Sequence, residues 1–182
     1  MVYNPEKVNL RGRVFERFIS PEQIARRVEE MAGELTDRYA GREPLFLSVL
    51  KGAYIFTADL CRSFGAETSL AFIKASSYEG MRSTGDVRFA GLEGLDLRDR
   101  EVLVIEDIVD SGATLHALMP VLRGLGASGV EICTLLLKPT ELRHSLPGMM
   151  VGFEIPSAFV VGYGLDYDEL GRNLAGIYKL AE

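Results

Sequence analysis

Residues 102–115 read VLVIEDIVDSGATL and are the most informative part of the sequence. An apolar run, typical of a strand buried on both faces, leads into three carboxylates, Glu106, Asp107 and Asp110. Carboxylates at the end of a buried strand lose hydration, and this loss costs free energy unless hydroxyl donors or a metal ion engage them. The Ser-Gly-Ala-Thr turn at 111–114 then opens a helix, and backbone N–H groups at such a turn are suited to phosphate. The stretch therefore predicts a sugar phosphate ligand. A dinucleotide fold would place G-x-G-x-x-G at this turn, which lacks it.

A helix is predicted upstream of this stretch. Ser20 is an N-cap candidate, Pro21 suits the first helical position, and Gln23 completes a capping box. Apolar residues at spacings of three and four then give one buried stripe, and Gly41 can end the helix. The stripe consists of Ile24, Val28, Met31 and Leu35.

Strands and helices alternate along the rest of the chain. This order predicts an α/β fold, in which a mostly parallel twisted sheet is flanked by helices and binds ligands at the carboxyl ends of its strands. Pro120 should kink or divide the helix that begins at Thr114. Strands are predicted at 44–50, 68–75, 101–105, 130–137 and 159–164, a short edge strand at 176–180, and a further helix at 53–64.

Length and composition set further limits. A chain of 182 residues suits a single domain over 1–182, with a flexible, Gly-rich active-site loop at about 77–100. A net charge of −6 argues against broad nucleic-acid binding. Two cysteines in apolar stretches, Cys61 and Cys133, indicate buried thiols, and no apolar run suggests a signal or a membrane span. We expect a soluble, cytoplasmic protein, in which His116 and His144 lie on a helix face or the surface.

The stretch at 102–115 resembles the phosphoribosyl pyrophosphate (PRPP) signature of type I phosphoribosyltransferases. From about Asn4 to Leu180 the chain resembles the hypoxanthine-guanine branch of that family. The matching stretches are SVLKG at 48–52, SSYEG at 76–80, STGDV at 83–87, LLLKP at 135–139, VGFEIP at 151–156 and FVVGYGLDYDELGRNL at 159–174.

The resemblance implies a Mg²⁺-dependent purine salvage enzyme. It would transfer 5-phosphoribosyl from PRPP to hypoxanthine and/or guanine, giving IMP or GMP and pyrophosphate. It also implies a small hood built from the N- and C-terminal segments, and a homodimer or homotetramer. No nucleic acid or membrane is expected as a partner.

Residue roles follow from the same resemblance. Asp110 is the expected general base, and Leu50 and Lys51 are expected to share a non-proline cis peptide. The ribose would be held by Glu106 and Asp107, and the 5′-phosphate by Asp110, Ser111, Gly112, Ala113 and Thr114. Pyrophosphate would be held by Leu50, Lys51, Gly52 and Arg172, and the purine by Lys138, Phe159, Val160 and Asp166. The metal would be held by Glu106, Asp107 and Asp166, and the loop that closes over the site would include Ser77 and Tyr78.

Other interpretations remain open at this point. Taken alone, the carboxylates could be solvated caps, Lys51 and Lys138 surface residues, and Phe159 a core residue. Likewise Asp166 and Arg172 could form a surface ion pair, and Lys74 could act on pyrophosphate or on a subunit neighbour. At the level of function, the alternatives are a PRPP-sensing nucleic-acid-binding regulator on the same fold and a xanthine-preferring transferase.

Overall fold

The structure is a computed structural model, and it describes residues 3–77, 87–146 and 148–181. Within these residues, the chain forms two β-sheets and three helices. None of the helices within those ranges has the length and apolarity needed to cross a bilayer. The strands are β1 (Lys7–Leu10), β2 (Arg13–Ile19), β3 (Leu45–Leu50), β4 (Ser69–Ser77), β5 (Val87–Ala90), β6 (Glu101–Val109), β7 (Gly129–Leu137), β8 (Met149–Glu154), β9 (Val160–Val161) and β10 (Ile177–Leu180), and the helices are α1 (Pro21–Arg38), α2 (Tyr54–Ser63) and α3 (Ala113–Gly124).

The larger sheet has six strands in the order β5-β4-β3-β6-β7-β8. All neighbours in it run parallel except β5, which is antiparallel to β4. Residues along β6 alternate between two cores: Leu103 and Ile105 pack with α1 and α2, whereas Val102 and Val104 pack with α3. The predicted parallel α/β sheet with helices on both faces is confirmed.

The smaller sheet joins the two ends of the chain in the antiparallel order β1-β2-β10-β9. It is the expected hood of N- and C-terminal segments. Two predicted strands belong to it and differ from expectation: the one at 159–164 is only β9, and β10 lies between β2 and β9 rather than at an edge. β1, β2, β5 and β8 were not predicted as strands.

The predicted α1 is confirmed at its start. Ser20 is the N-cap, its hydroxyl accepts from the Gln23 N–H at 3.3 Å, and the Gln23 side chain accepts from the Ser20 N–H at 2.9 Å. The apolar stripe is buried in the core, and the helix ends at Arg38, just before Gly41 with its φ of 73°.

The structure bears on three expectations in the middle of the chain. Pro120 was expected to kink or divide α3, and the helix runs undivided from Ala113 to Gly124. Part of the segment expected as a loop at 77–100 has other structure, because Val87–Ala90 pairs with β4 and Leu97 is fully buried in the core. Finally, β6 continues to Val109, so that Glu106 and Asp107 lie on the strand and not beyond it.

Replacing Ser20 by Ala removes the hydroxyl that accepts from Gln23, and we expect a loss of about 1 kcal/mol in the free energy of unfolding. Urea denaturation followed by circular dichroism measures this loss. Ser20→Thr, which keeps a hydroxyl, is the matched control and should lie near the original protein. An equal loss in both variants would show that the cap is not the cause.

Candidate active site

Three neighbouring parallel strands end at one edge of the larger sheet. β3 is followed by Lys51 and Gly52, β6 by Asp110, and β7 by Lys138. Because the ends of β6 and β7 are paired, the Lys138 N–H donates to the Val109 carbonyl at 2.9 Å. The fold thus brings the residues expected at the ribose, the pyrophosphate and the purine to one edge, where ligands of open α/β sheets bind.

A depression of about 210 Å³ lies at the turn between β6 and α3. Gly112 has a φ of 78°, a left-handed conformation that glycine adopts without strain, and it precedes the first residue of α3. Behind it, the Ser111 carbonyl accepts from the N–H groups of Arg143 and His144 at 3.0 and 3.3 Å. The depression is lined by Glu106, Ile108, Val109, Asp110, Ser111, Gly112, Ala113, Thr114 and Leu115, which include all residues expected at the 5′-phosphate.

Gly52 and Asp107 are in unusually close contact. A Cβ atom on Gly52 would overlap the carboxylate of Asp107, so that any other residue here would displace that carboxylate or the backbone of the loop. The Asp107 carboxylate also accepts from the Ile108 N–H at 2.8 Å. The peptide bond between Leu50 and Lys51 is cis, as the resemblance implied.

Glu106 and Asp107 form a buried carboxyl pair. Burial raises the pKa of Glu106 well above its ordinary value, and the negative charge of Asp107 raises it further. Burial also raises the pKa of Asp107, against the effect of its hydrogen bonds and of the Arg172 charge. Because these pKa values are raised, ionisation of the pair destabilises the fold, and hydroxyl donors or a cation would offset that effect.

Lys138 and Asp110 form an ion pair that sequence reasoning missed. The Nζ of Lys138 lies 2.8 Å from Oδ1 of Asp110, and the lysine side chain is only 13% exposed, against 55% for the aspartate. The pair therefore presents one donor and one acceptor, side by side, at the end of β6 and β7. The pairing of β6 with β7 places their ends side by side, and the ion pair could have been predicted from it.

Phe159 lies at the hood side of the site and is 48% exposed, which is unusual for so large an apolar ring. Its ring packs edge-on against Tyr167, with ring centres 5.7 Å apart, and lies 6.2 Å from the ring of Phe15. The neighbouring Val160 is buried and pairs with Lys179 of β10. Phe159 is therefore held on one side and open on another, as a stacking ring must be.

Residues 162–174 form a compact segment that we call the 162–174 hairpin. Within it, Arg172 binds Asp166 at 2.7 Å and the Gly164 carbonyl at 2.8 Å. The Arg172 Nε is buried and has no hydrogen-bond partner among the described residues, which indicates a site for an acceptor. Glu169, not singled out from the sequence, binds Lys51 at 3.0 Å, but both side chains are largely exposed and the pair contributes little stability.

The acidic residues suit a hard cation. Within 3–77, 87–146 and 148–181, no cluster of three or more potential metal ligands exists. Magnesium, however, is usually held by one or two carboxylates together with substrate oxygens and water. Glu106 and Asp107 supply such oxygens, and Asp166 is paired with Arg172, whose charge lowers the pKa of Asp107. The residues present therefore fit magnesium bound together with a substrate.

Several other expectations can be compared with the structure. Ser77 ends β4 opposite Val87, whereas Tyr78 lies outside the described residues. Lys74 is exposed and close enough to Glu169 to lower the pKa of that carboxyl, after the larger effect of Lys51. His116 is exposed on α3, and its ring stacks on that of His144 at 4.5 Å.

One glycine motif lies elsewhere. Residues 124–129 read GLGASG and match G-x-G-x-x-G in spacing. They connect α3 to β7, however, and so follow a helix and precede a strand. A dinucleotide motif needs the opposite order, and the match therefore has no such meaning.

Known proteins share this fold. Residues 19–168 match the family described as phosphoribosyl transferase domain. Because the match covers more than half of the sequence, the chain belongs to the phosphoribosyl transferase family. Its similarity to individual members extends over nearly the whole chain.

Several similar members are named as hypoxanthine-guanine or hypoxanthine phosphoribosyltransferases. A hypoxanthine-guanine phosphoribosyltransferase from Bacillus subtilis is 43% identical over 90% of this chain and 92% of that protein. One from Aquifex aeolicus is 36% identical over 95% of this chain and 98% of that protein. A crystal structure of a hypoxanthine phosphoribosyltransferase from Staphylococcus aureus superimposes with a TM-score of 0.85 at 37% identity, covering 91% of each chain.

Gly52→Ala should abolish catalysis, because the new methyl group would displace the Asp107 carboxylate or the loop after β3. We expect nucleotide formation to fall at least about 100-fold, the size of effect that a misplacement of about 1 Å can have. Steady-state assays with PRPP measure it.

Gly33→Ala is the matched control. Gly33 lies within α1, where an added Cβ meets nothing within 4 Å, and the change should stabilise the fold by about 0.5–1 kcal/mol. Full activity in Gly52→Ala would contradict the argument from the close contact.

Proposed function

We propose that this protein transfers the 5-phosphoribosyl group of PRPP to hypoxanthine and/or guanine, giving IMP or GMP and pyrophosphate in purine salvage. The pairing of Lys138 with Asp110 at 2.8 Å carries this proposal. A 6-oxopurine presents the exocyclic oxygen and N7 as neighbouring atoms on one edge. An ammonium group beside a carboxylate suits that edge, because the first donates to the oxygen and the second accepts the N7 proton.

The regulatory alternative is not supported. The net charge is −6, whereas nucleic-acid binding usually requires an excess of basic residues. The similar proteins are moreover named as transferases. A xanthine-preferring enzyme is likewise disfavoured by those names. The edge that Lys138 and Asp110 would read does not include the purine 2-position, and so it does not by itself discriminate xanthine.

PRPP would bind along the carboxyl edge of the larger sheet. We assign its 5′-phosphate to the depression at Asp110–Thr114 and its ribose hydroxyls to Glu106 and Asp107. Burial raises the pKa of both carboxyls because it disfavours their charged forms, and hydroxyl donors would stabilise those forms. We assign pyrophosphate to Leu50, Lys51 and Gly52, and to Arg172, whose buried Nε lacks an acceptor in the described part of the chain. The purine would lie between Lys138 and Phe159, within reach of Val160 and Asp166.

In the reaction, a purine ring nitrogen attacks the anomeric carbon as the bond to pyrophosphate breaks. Asp110 receives the proton that the purine loses, and Lys138 holds both the purine oxygen and the position of Asp110. The sugar carbon gains positive character during this step, and water must be excluded for transfer to prevail over hydrolysis. We assign that exclusion to the segment that begins at Ser77 and includes Tyr78.

A metal ion, magnesium by our proposal, would be held by substrate oxygens with Glu106, Asp107 and Asp166. When bound, it supplies Lewis-acid stabilisation of negative charge on the leaving pyrophosphate. We further propose a cytoplasmic enzyme, in keeping with its two free thiols, Cys61 and Cys133, and a homodimer or homotetramer.

The substrate assignment is tested by incubating the purified protein with PRPP, magnesium and, separately, hypoxanthine, guanine, xanthine, adenine or uracil. We expect nucleotide from hypoxanthine or guanine and little from adenine, whose amino group would face the Lys138 ammonium donor; such a mismatch can reduce use about 10⁴-fold. Lys138→Ala should lose hypoxanthine use. Efficient adenine use, or a Lys138→Ala variant as active as the original on hypoxanthine, would overturn the account of selectivity.

Asp110→Asn should reduce kcat by about 10²–10⁴-fold, because the amide cannot receive the proton. The affinity for PRPP, measured by calorimetry, should change far less. Glu141→Gln is the control, since it neutralises a carboxylate in the turn after Lys138 that has no assigned role. An unchanged kcat in Asp110→Asn would remove Asp110 from the mechanism.

A further inference from the structure

A partly buried hydrogen bond joins the 162–174 hairpin to α2. The hydroxyl of Tyr163 lies 2.6 Å from Oδ2 of Asp59 on α2, and Tyr163 itself is only 6% exposed. Burial, and then the carboxylate of Asp59, raise the pKa of Tyr163, so that its hydroxyl stays protonated and donates. Tyr163 has a φ of 48°, an uncommon value for a bulky residue, which marks a backbone held by its surroundings.

The hairpin is an internally bonded unit. The N–H of Tyr163 donates to the Leu174 carbonyl at 2.8 Å, and the N–H of Gly164 donates to the Arg172 carbonyl at 3.0 Å. In return, the Arg172 side chain donates to the Gly164 carbonyl at 2.8 Å. A shift of Tyr163 would therefore carry Arg172 with it.

The body that holds this unit is α2, together with the loop that precedes it. α2 begins two residues after Gly52, and the buried hydroxyls of Ser48 and Thr57, 2.7 Å apart, fix it to β3. Gly164 lies so close to the Gly52 carbonyl that a Cβ on Gly164 would overlap it. The hairpin thus meets α2 and its preceding loop where Gly164 lies on Gly52 and where Tyr163 bonds Asp59, in addition to the exposed ion pair between Glu169 and Lys51.

A surface depression of about 320 Å³ lies between α1, α2 and the end of the hairpin, and Asp59 and Tyr163 both line it. The Tyr163 ring packs in the core with residues of α1 and α2, and its hydroxyl reaches Asp59 at the margin of this depression. The hydrogen bond thus fixes the end of the ring that core packing leaves free.

We propose that Asp59 and Tyr163 are positioning residues that set the distance between Arg172 and the loop at Lys51–Gly52, and hence the affinity for the pyrophosphate portion of PRPP. This inference rests on the function proposed above. It concerns no direct contact to substrate, and Lys138 and Asp110, which would read the purine edge, lie outside the hairpin at the paired ends of β6 and β7. The purine should consequently bind as well without the hydrogen bond as with it.

Tyr163→Phe tests the proposal, because it removes the hydroxyl and leaves the ring. We expect KM for PRPP to rise about tenfold, with KM for hypoxanthine within about twofold of the original value. Asp59→Ala should give the same split, and Asp59→Asn, which keeps an acceptor oxygen, should restore most of the affinity. The double variant Tyr163→Phe with Asp59→Ala should be no worse than either single change.

Tyr178→Phe is the matched control. Tyr178 is fully buried in the hood, and its hydroxyl donates to the Pro5 carbonyl at 2.6 Å. That change also removes a buried tyrosine hydroxyl, but it should leave both KM values unchanged. A loss of thermal stability in Tyr163→Phe with KM for PRPP unaltered, or an equal rise in both KM values, would overturn the proposal.

Failure of this inference is distinct from failure of the proposed function. If the original protein forms nucleotide and Tyr163→Phe retains its KM for PRPP, only the positioning role is wrong. If the original protein forms no nucleotide from any base, the proposed function is wrong. Calorimetry with PRPP then still decides the positioning role, since Tyr163→Phe should bind PRPP about tenfold more weakly, and equal affinity would refute it.

Discussion

The contact between the Asp107 carboxylate and Gly52 is the constraint on which the rest of the site depends. Because β3 and β6 are neighbours, the residues at their carboxyl ends meet at one edge of the sheet. The space that a side chain at position 52 would need is taken by Asp107, and the space at position 164 by the Gly52 carbonyl. Three separate parts of the chain thus converge at Gly52, where Asp107 leaves no room for a side chain at position 52 and the Gly52 carbonyl leaves none at position 164.

This convergence gathers polar groups that the fold alone does not satisfy. Glu106 and Asp107 have raised pKa values because burial disfavours their charged forms, and the Arg172 Nε has no acceptor among the described residues. Each of these features lowers the stability of the protein without ligand. Ribose hydroxyls and pyrophosphate oxygens are the complementary groups. The site therefore exchanges some folding stability for binding, as functional sites commonly do.

The sequence predicted the core of the larger sheet and much less of the hood. Residues 101–105 and 130–137 are continuous apolar runs, a local signal that survives without knowledge of the partner strands. β2 instead carries three charged residues, and its buried positions do not alternate regularly with exposed ones. One of its two partners, β10, lies at the other end of the chain. Its strand conformation depends on that distant pairing, which local propensity does not report. Leu97 was missed for a similar reason, since one buried residue gives no period.

The candidate site was predicted as a set of residues and not as a set of contacts. Neighbouring strand ends made the approach of Lys138 to Asp110 deducible, whereas the bond from Tyr163 to Asp59 depends on a left-handed backbone that no propensity favours for tyrosine. By our proposal, contacts of the first kind determine what the site recognises. Because Lys138 and Asp110 hold each other at the ends of paired strands, a donor and an acceptor are in place before a base arrives. A purine edge that matches them would gain the interaction without first ordering either side chain, whereas an edge with an amino group would set two donors, that group and the Lys138 ammonium, against each other. Selectivity would then follow from the register of two strands.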